Sequence, residues 1–214
     1  MHLTIGLLIV IGAAWVFAGI AEEVSDSESI TVLDVHISQW FHAHAIPPVT
    51  QIMLAFTHLH GTVGILVLSA LLGLFFFRER AWYWLMALVF SVHGGMLFNV
   101  LLKHFYQRAR PSFDQPLLTL TTYSFPSGHV AGSTLFYGLL SAYLLCNTHS
   151  WRRKMAVVLF AILIVIAVGL SRIYLGVHYF SDVLAAMAAS GAWLAFGITT
   201  ISTLRRRAAN CTKR

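Results

Sequence analysis

The sequence predicts an all-α integral membrane protein, six transmembrane helices in one bundle, with its chemistry at the outer membrane–water boundary. Three observations predict the bundle. Of the 214 residues, 58% are hydrophobic and only 10% are charged, where a soluble domain carries about 25%. Six stretches hold no Asp, Glu, Lys or Arg: 1–21, 35–77, 81–102, 115–151, 155–171 and 183–204. A span needs about 20 mostly apolar residues. The cations are also segregated, and ten of the fourteen Lys and Arg fall in three clusters. These are Arg78 and Arg80; Arg152, Arg153 and Lys154; and Arg205, Arg206, Arg207, Lys213 and Arg214.

In chain order, spans are expected near 3–20, 57–77, 81–103, 129–147, 154–173 and 180–203. With the N-terminus inside, all three cation clusters share one side, which the positive-inside rule makes cytoplasmic. Both termini then lie there, and 205–214 forms a basic cytoplasmic tail, frayed over 210–214. Residues 3–20 read as a span rather than a signal peptide, because a basic n-region is missing. The outer loop 22–56 carries Glu22, Glu23, Asp26, Glu28 and Asp34. Within it, Leu33, Ile37, Trp40 and Phe41 repeat at helical spacing, as in a short helix lying in the interface. Pro47 and Pro48 end that helix, and residues 49–56 extend a further short one. Residues 106–125 form a polar outer loop. Cys146 and Cys211 fall inside and are expected as free thiols. No second domain is signalled, so 1–214 reads as one unit.

A formal charge of +6 raises the question of nucleic acid. The clustering against a membrane excludes it as a partner and makes the lipid bilayer the partner instead. His36, His42, His44, His58 and His60 raise the question of a metal. The Cys or carboxylate ligands that usually accompany such pairs at metal spacing are missing, so they read as interfacial histidines. His93, inside a span, reads as a hydrogen-bonding group between helices.

Lys103, Arg108, Arg110 and Arg172 fall outside, against the charge rule, and an anionic ligand is the simplest reason. They belong to three segments. Lys103 and Arg110 are seven apart, two helical turns, with a rise of roughly 10 Å between them. Pro111 disfavours helix at Arg110 and turns its side chain toward the loop. Alone, the pair reads equally as snorkelling anchors. Pro126-Ser127-Gly128-His129 opens a long apolar helix. Ser127 is a candidate N-cap, Gly128 allows close approach, and a helix start with free amides is an anion site. In the third segment His178 and Asp182 are four apart, on nearly the same helical face. The carboxylate can orient and charge-stabilise the imidazole. Gly176 offers a break that puts Arg172 at one helix end and His178 at the start of the next. Separately, each segment has a bland reading. Together they place cations, a helix N-terminus and two histidines on one face. That set suits a phosphate monoester, which carries about two negative charges. Two histidines supply nucleophile and proton donor without a metal, and the cations stabilise transition-state charge.

The pattern KxxxxxxRP, PSGH and SRxxxxxHxxxD is similar to that of the type 2 phosphatidic acid phosphatase family, and every motif position matches. The resemblance implies a membrane lipid phosphatase that needs no metal and no cofactor and passes through a phosphohistidine. It implies that His178 is the nucleophile, Asp182 its orienting partner and His129 the donor to the leaving group. Lys103, Arg110, Ser127, Gly128 and Arg172 would hold the phosphate. Arg108 lies outside the pattern and reads as a headgroup contact only. The small size resembles compact bacterial members of the inner membrane, which act on phosphatidylglycerol phosphate and isoprenyl (undecaprenyl) pyrophosphates; phosphatidate is a further substrate. Three rivals share the site: a lipid phosphotransferase, a vanadate haloperoxidase, against which the spans argue, and a non-catalytic lipid-binding or transport protein, against which the intact histidines argue.

Overall fold

The structure, a computed structural model, describes residues 2–27 and 29–211, with residues 2 and 206–211 as backbone alone. The tail expected at 210–214 lies partly outside them, and the last helix continues to Cys211. Among the described residues, all regular structure is helical. The helices are α1 His2–Ser25, α2 Ser29–Ala43, α3 Pro47–Leu59, α4 Thr62–Arg78, α5 Trp82–Leu88, α6 Gly94–Tyr106, α7 Gly128–Cys146, α8 Trp151–Tyr174 and α9 Phe180–Cys211. A π-helical turn, Val89–His93, joins α5 to α6, so Trp82–Tyr106 is one span.

Among the described residues, five helices are long and apolar enough to cross a membrane, six if the bent pair α3–α4 counts as one span. The expected second span at 57–77 is corrected here. It is not one helix, because the chain breaks at His60–Gly61 and turns by 47°. Gly64 permits the corner: a Cβ there would collide with the Leu59 carbonyl. The prolines also act differently from expectation. They sit at the first turn of α3, where a missing N–H is not needed, so they start a helix as much as end one.

α7 is the central helix. Val130, Ala131, Leu135 and Leu139 are fully buried, and it packs against α8 and α9. α1 packs along α9 and leaves Leu7, Leu8, Ile11 and Trp15 exposed, as lipid-facing residues are. The π-turn releases the Phe90 carbonyl, which accepts from Trp193 Nε1 at 3.1 Å. Trp193 also stacks between Phe90 and Phe98. His93 does not make the expected bond through Nδ1, which is buried without a partner among the described residues.

α2 is helical as expected, but it presents another face. Leu33 and Trp40 are exposed, while Asp34 and Ser38 are buried and Ile37 and Phe41 pack inward. The buried stripe therefore runs through 34, 37, 38 and 41, with polar residues in it. The α2–α3 link is tied to the end of α8 by Tyr174. Its hydroxyl accepts from the Ile46 N–H at 3.0 Å and meets Thr50 Oγ1 at 3.1 Å.

Candidate active site

The carboxyl ends of α6 and α8 and the amino ends of α7 and α9 meet at one end of the bundle. The Ser127 N–H donates to the Asp182 carbonyl at 3.1 Å, joining the starts of α7 and α9. All three sequence segments are brought together here.

The first segment converges, though not along one helix face. α6 stops at Tyr106, and Gln107 takes the left-handed conformation (φ 46°), so Arg110 lies in the loop. It nevertheless meets Lys103 on a shared acceptor. Lys103 Nζ donates to the Tyr123 carbonyl at 2.7 Å, and Arg110 Nη2 donates to the same oxygen at 3.0 Å. Arg110 Nε donates to the Thr122 carbonyl at 2.6 Å, and Nη1 to the Val177 carbonyl. The same Nη1 lies 3.3 Å from His178 Nε2.

In the second segment Ser127 occupies the N-cap position of α7 (φ −67°, ψ 119°) but makes no side-chain cap bond. Its hydroxyl is buried with no partner among the described residues, which is costly unless a ligand completes it. A Cβ on Gly128 would lie 3.6 Å from Asn99 Oδ1 and 3.8 Å from Lys103 Cε, so the polar side of α6 faces this helix start closely. Asn99 Nδ2 is also buried with no partner among the described residues. Sequence reading missed Asn99. The available signal was an amide one helical turn from Lys103 inside an apolar span.

In the third segment Gly176 adopts φ +67°, a conformation that costs an L side chain strain. A Cβ there would also sit 2.8 Å from the Phe113 ring. The turn it makes separates Arg172, in the last turn of α8, from His178, just before α9. Arg172 is 1% exposed. Its Nη1 donates to Thr57 Oγ1 at 2.6 Å, while Nε and Nη2 have no partner among the described residues. His178 Nδ1 lies 3.3 Å from Asp182 Oδ2, which also accepts from the Tyr179 N–H at 2.9 Å. That pairing assigns the proton to Nδ1 and leaves the Nε2 lone pair facing Arg110. His129, in the first turn of α7, lies in the electrostatic reach of Arg172, His178, Arg110 and Lys103. A Cβ on Gly61 would come within 3.4 Å of its Nε2, so the α3–α4 corner closes over this histidine.

Arg108, expected only as a headgroup contact, is engaged by two carboxylates of the protein. Its Nη1 pairs with Asp182 Oδ1 at 2.7 Å and its Nη2 with Asp34 Oδ2 at 2.8 Å. Burial works against the guanidinium charge, but Asp182 and Asp34 outweigh it and hold Arg108 above its ordinary pKa. Burial, and next the cations Lys103, Arg110 and Arg172, hold His178 well below its ordinary 6.5. Both effects favour the neutral imidazole, the form able to act as a nucleophile. Burial likewise lowers Arg110, with Asp182 opposing. Four cations facing two carboxylates leave the site with a net charge of about +2, matched to a phosphate dianion.

Three of the outer histidines, His42, His44 and His60, have packing partners. His42 stacks on Phe113 with centroids 4.0 Å apart, and His44 stacks on Trp40 at 4.6 Å. His60 bonds the Phe56 carbonyl at 2.9 Å and the Tyr137 hydroxyl at 3.0 Å. Among the described residues, no three His, Cys, Asp or Glu side chains gather as a metal site. Cys146 is free and exposed; the Cys211 side chain lies outside the described residues.

A multi-pass helical bundle that gathers unpartnered donors and a carboxylate-held imidazole at one end defines a membrane-embedded enzyme acting on phosphate. The PAP2 superfamily model matches residues 84–206, and the chain belongs to that family. It is 36% identical over 141 residues to phosphatidylglycerophosphatase B of Bacillus subtilis (strain 168), covering 64% of this chain and 68% of that one. It superposes on the crystal structure of the transmembrane PAP2 type phosphatidylglycerolphosphate phosphatase from Bacillus subtilis with a TM-score of 0.79. That match is 28% identical and covers 92% of this chain and 96% of the other. Aquifex aeolicus LpxE shares the fold, with a TM-score of 0.60 at 22% identity over 78% of this chain and 94% of that one. The chain is thus a lipid phosphatase of the PAP2 type.

Proposed function

We propose that this enzyme dephosphorylates a membrane lipid phosphate, with phosphatidylglycerol phosphate as the first substrate to test, by passing the phosphoryl group through His178. The carrying observation is the orientation of His178. Asp182 holds Nδ1, and Nε2 points at Arg110 among buried donors that lack partners: Arg172 Nε and Nη2, and Ser127 Oγ. The substrate's phosphate would take those donors together with Lys103, Arg110 and the Gly128 amide. Arg110 Nη1 would move from the Nε2 lone pair to a phosphate oxygen, which frees the nucleophile as the substrate arrives.

The Nε2 lone pair forms a bond to phosphorus while the bond to the lipid oxygen breaks. That oxygen takes a proton from His129, and Asp182 stabilises the imidazolium. Water then attacks phosphorus, giving a proton to His129, and the N–P bond breaks to release inorganic phosphate. The cations and the α7 amides stabilise the equatorial oxygens in both steps.

The distribution of charge supports an orientation. The Lys and Arg clusters lie at the end of α4, at the start of α8 and in the last part of α9, away from the helix ends that form the site. The positive-inside rule then puts both termini in the cytoplasm of a bacterial inner membrane and the site on the outer face. The chain works as one unit, with tails of the lipid along the exposed apolar helix surfaces.

The test is phosphate release by purified protein in detergent with excess chelator. Phosphatidylglycerol phosphate, undecaprenyl pyrophosphate and phosphatidate are compared, with His178→Ala alongside. Chelator-resistant release that falls by at least about 10⁴-fold in the variant is expected. Activity retained in folded His178→Ala would refute the nucleophile. Phosphate appearing on an added lipid instead of in solution would show a transferase.

A further inference from the structure

Asp34 lies on α2, outside the matched residues 84–206 and outside every motif. It is 0% exposed, an expensive place for a carboxylate unless its partners are fixed. Its partners are residues of the site. Oδ1 accepts from the Ser181 N–H at 2.9 Å, and Oδ2 accepts from the Ser181 hydroxyl and from Arg108 Nη2. Arg108 uses its other nitrogen, Nη1, on Asp182 Oδ1 at 2.7 Å and on Ser181 Oγ at 2.8 Å. Its guanidinium lies over the Tyr179 ring, 4.3 Å from the centroid. The result is a closed ring of Asp34, Arg108, Asp182 and Ser181 against the start of α9.

The consequence concerns Asp182. A guanidinium beside a lone carboxylate closes on both oxygens, because the fork matches the carboxylate. Here it does not. One nitrogen is held by Asp34, so Arg108 engages only Oδ1 of Asp182. Oδ2 stays with the Tyr179 N–H and His178 Nδ1. The Asp34 charge also offsets that of Arg108, so the charge of Asp182 remains available to the imidazolium formed on attack.

We infer that Asp34 is a positioning residue for the nucleophile: by occupying one arm of the Arg108 fork it reserves Asp182 Oδ2 for His178. The inference rests on the phosphohistidine reading above. It assigns to an outer helix, 144 residues upstream of His178, control over how that ring is held.

The test is a cycle of variants in full-length protein, assayed with phosphatidylglycerol phosphate and normalised to active sites by the trapped phosphoenzyme. Asp34→Asn is expected to lower kcat by about 30-fold while KM stays within about twofold, since the loss is in the chemical step. In the Arg108→Lys background, where no fork exists to close, Asp34→Asn should cost almost nothing further. That non-additivity is the signature of two residues acting as one device. Ser181→Ala keeps every charge and tests the same ring if Asp34→Asn does not fold, with an expected loss of about threefold in kcat. Equal losses from Asp34→Asn in both backgrounds would overturn the inference. So would a change confined to KM or to thermal stability, or an unchanged kcat in Ser181→Ala when that is the variant that folds. Wild-type protein that forms no phosphoenzyme and releases no phosphate sinks the functional reading and this inference with it. Wild-type turnover with unaffected variants sinks this inference alone.

Discussion

Residues 84–206 carry all the side chains assigned to the phosphate, whereas residues 29–61 carry side chains that hold those groups in place. In the first region the chemistry is local to helix ends: Lys103 ends α6, Ser127 and His129 start α7, Arg172 ends α8 and Asp182 starts α9. In the second region each contribution reaches across the chain. Thr57 fixes Arg172 from 115 residues away, and Asp34 reaches Ser181 across 147. Gly61 brings the α3–α4 corner against His129. Reactive groups need a fixed type at a fixed spacing, so they leave a motif. A positioning group needs only to arrive at the right place, and many folds of the intervening chain deliver it.

The comparison can be broken from either side. The largest effect expected in a variant that keeps the nucleophile is His129→Ala, inside the motif region. It should slow release of a lipid alkoxide by about 10²–10⁴-fold, the range for losing a general acid. A substrate with an activated phenolate leaving group should lose far less, and equal losses on both would remove the acid role. Thr57→Val, outside the motif region, should cost roughly tenfold in kcat/KM, since a hydrogen bond to a charged group is worth about 1.5–3 kcal/mol. Wild-type kcat/KM in that variant would mean that Arg172 is held without α3. The smallest effect is on pH. His178 must be neutral to attack, and burial and the neighbouring cations hold it below 6.5. Its protonation therefore begins only below that pH. After correction for the substrate's own second ionisation near pH 6, the acid limb of kcat/KM should fall below 6.5. A limb at or above 6.5 would contradict the electrostatics of the site.

Most of the site was legible because ionisable groups inside apolar sequence are conspicuous. Lys103, Arg172 and Asp182 stand at the ends of the uncharged runs 81–102, 155–171 and 183–204, and His129 stands inside the uncharged run 115–151. The spans were legible for the same reason. Asp34 was not, because it sits among Glu22, Glu23 and Asp26 and reads as one more outer acid. The helical period in α2 was visible, but polarity suggested the wrong face: Asp34 is buried against partners on α9 and the 107–127 loop, which spacing cannot reveal. The break at His60–Gly61 was hidden in an uncharged run, where composition measures length and not direction. Arg108 was visible as a cation, but its ion pairs were not, since its two carboxylate partners are each 74 residues away.

In the proposed mechanism the phosphoryl group passes through His178. The direct measurement is a rapid alkaline quench of the enzyme during turnover of radiolabelled lipid phosphate, followed by peptide mass spectrometry. The account predicts a phosphoryl group on the His178 imidazole, absent from His178→Ala and absent from His129. Steady turnover with no adduct, or with the adduct on another residue, would contradict it.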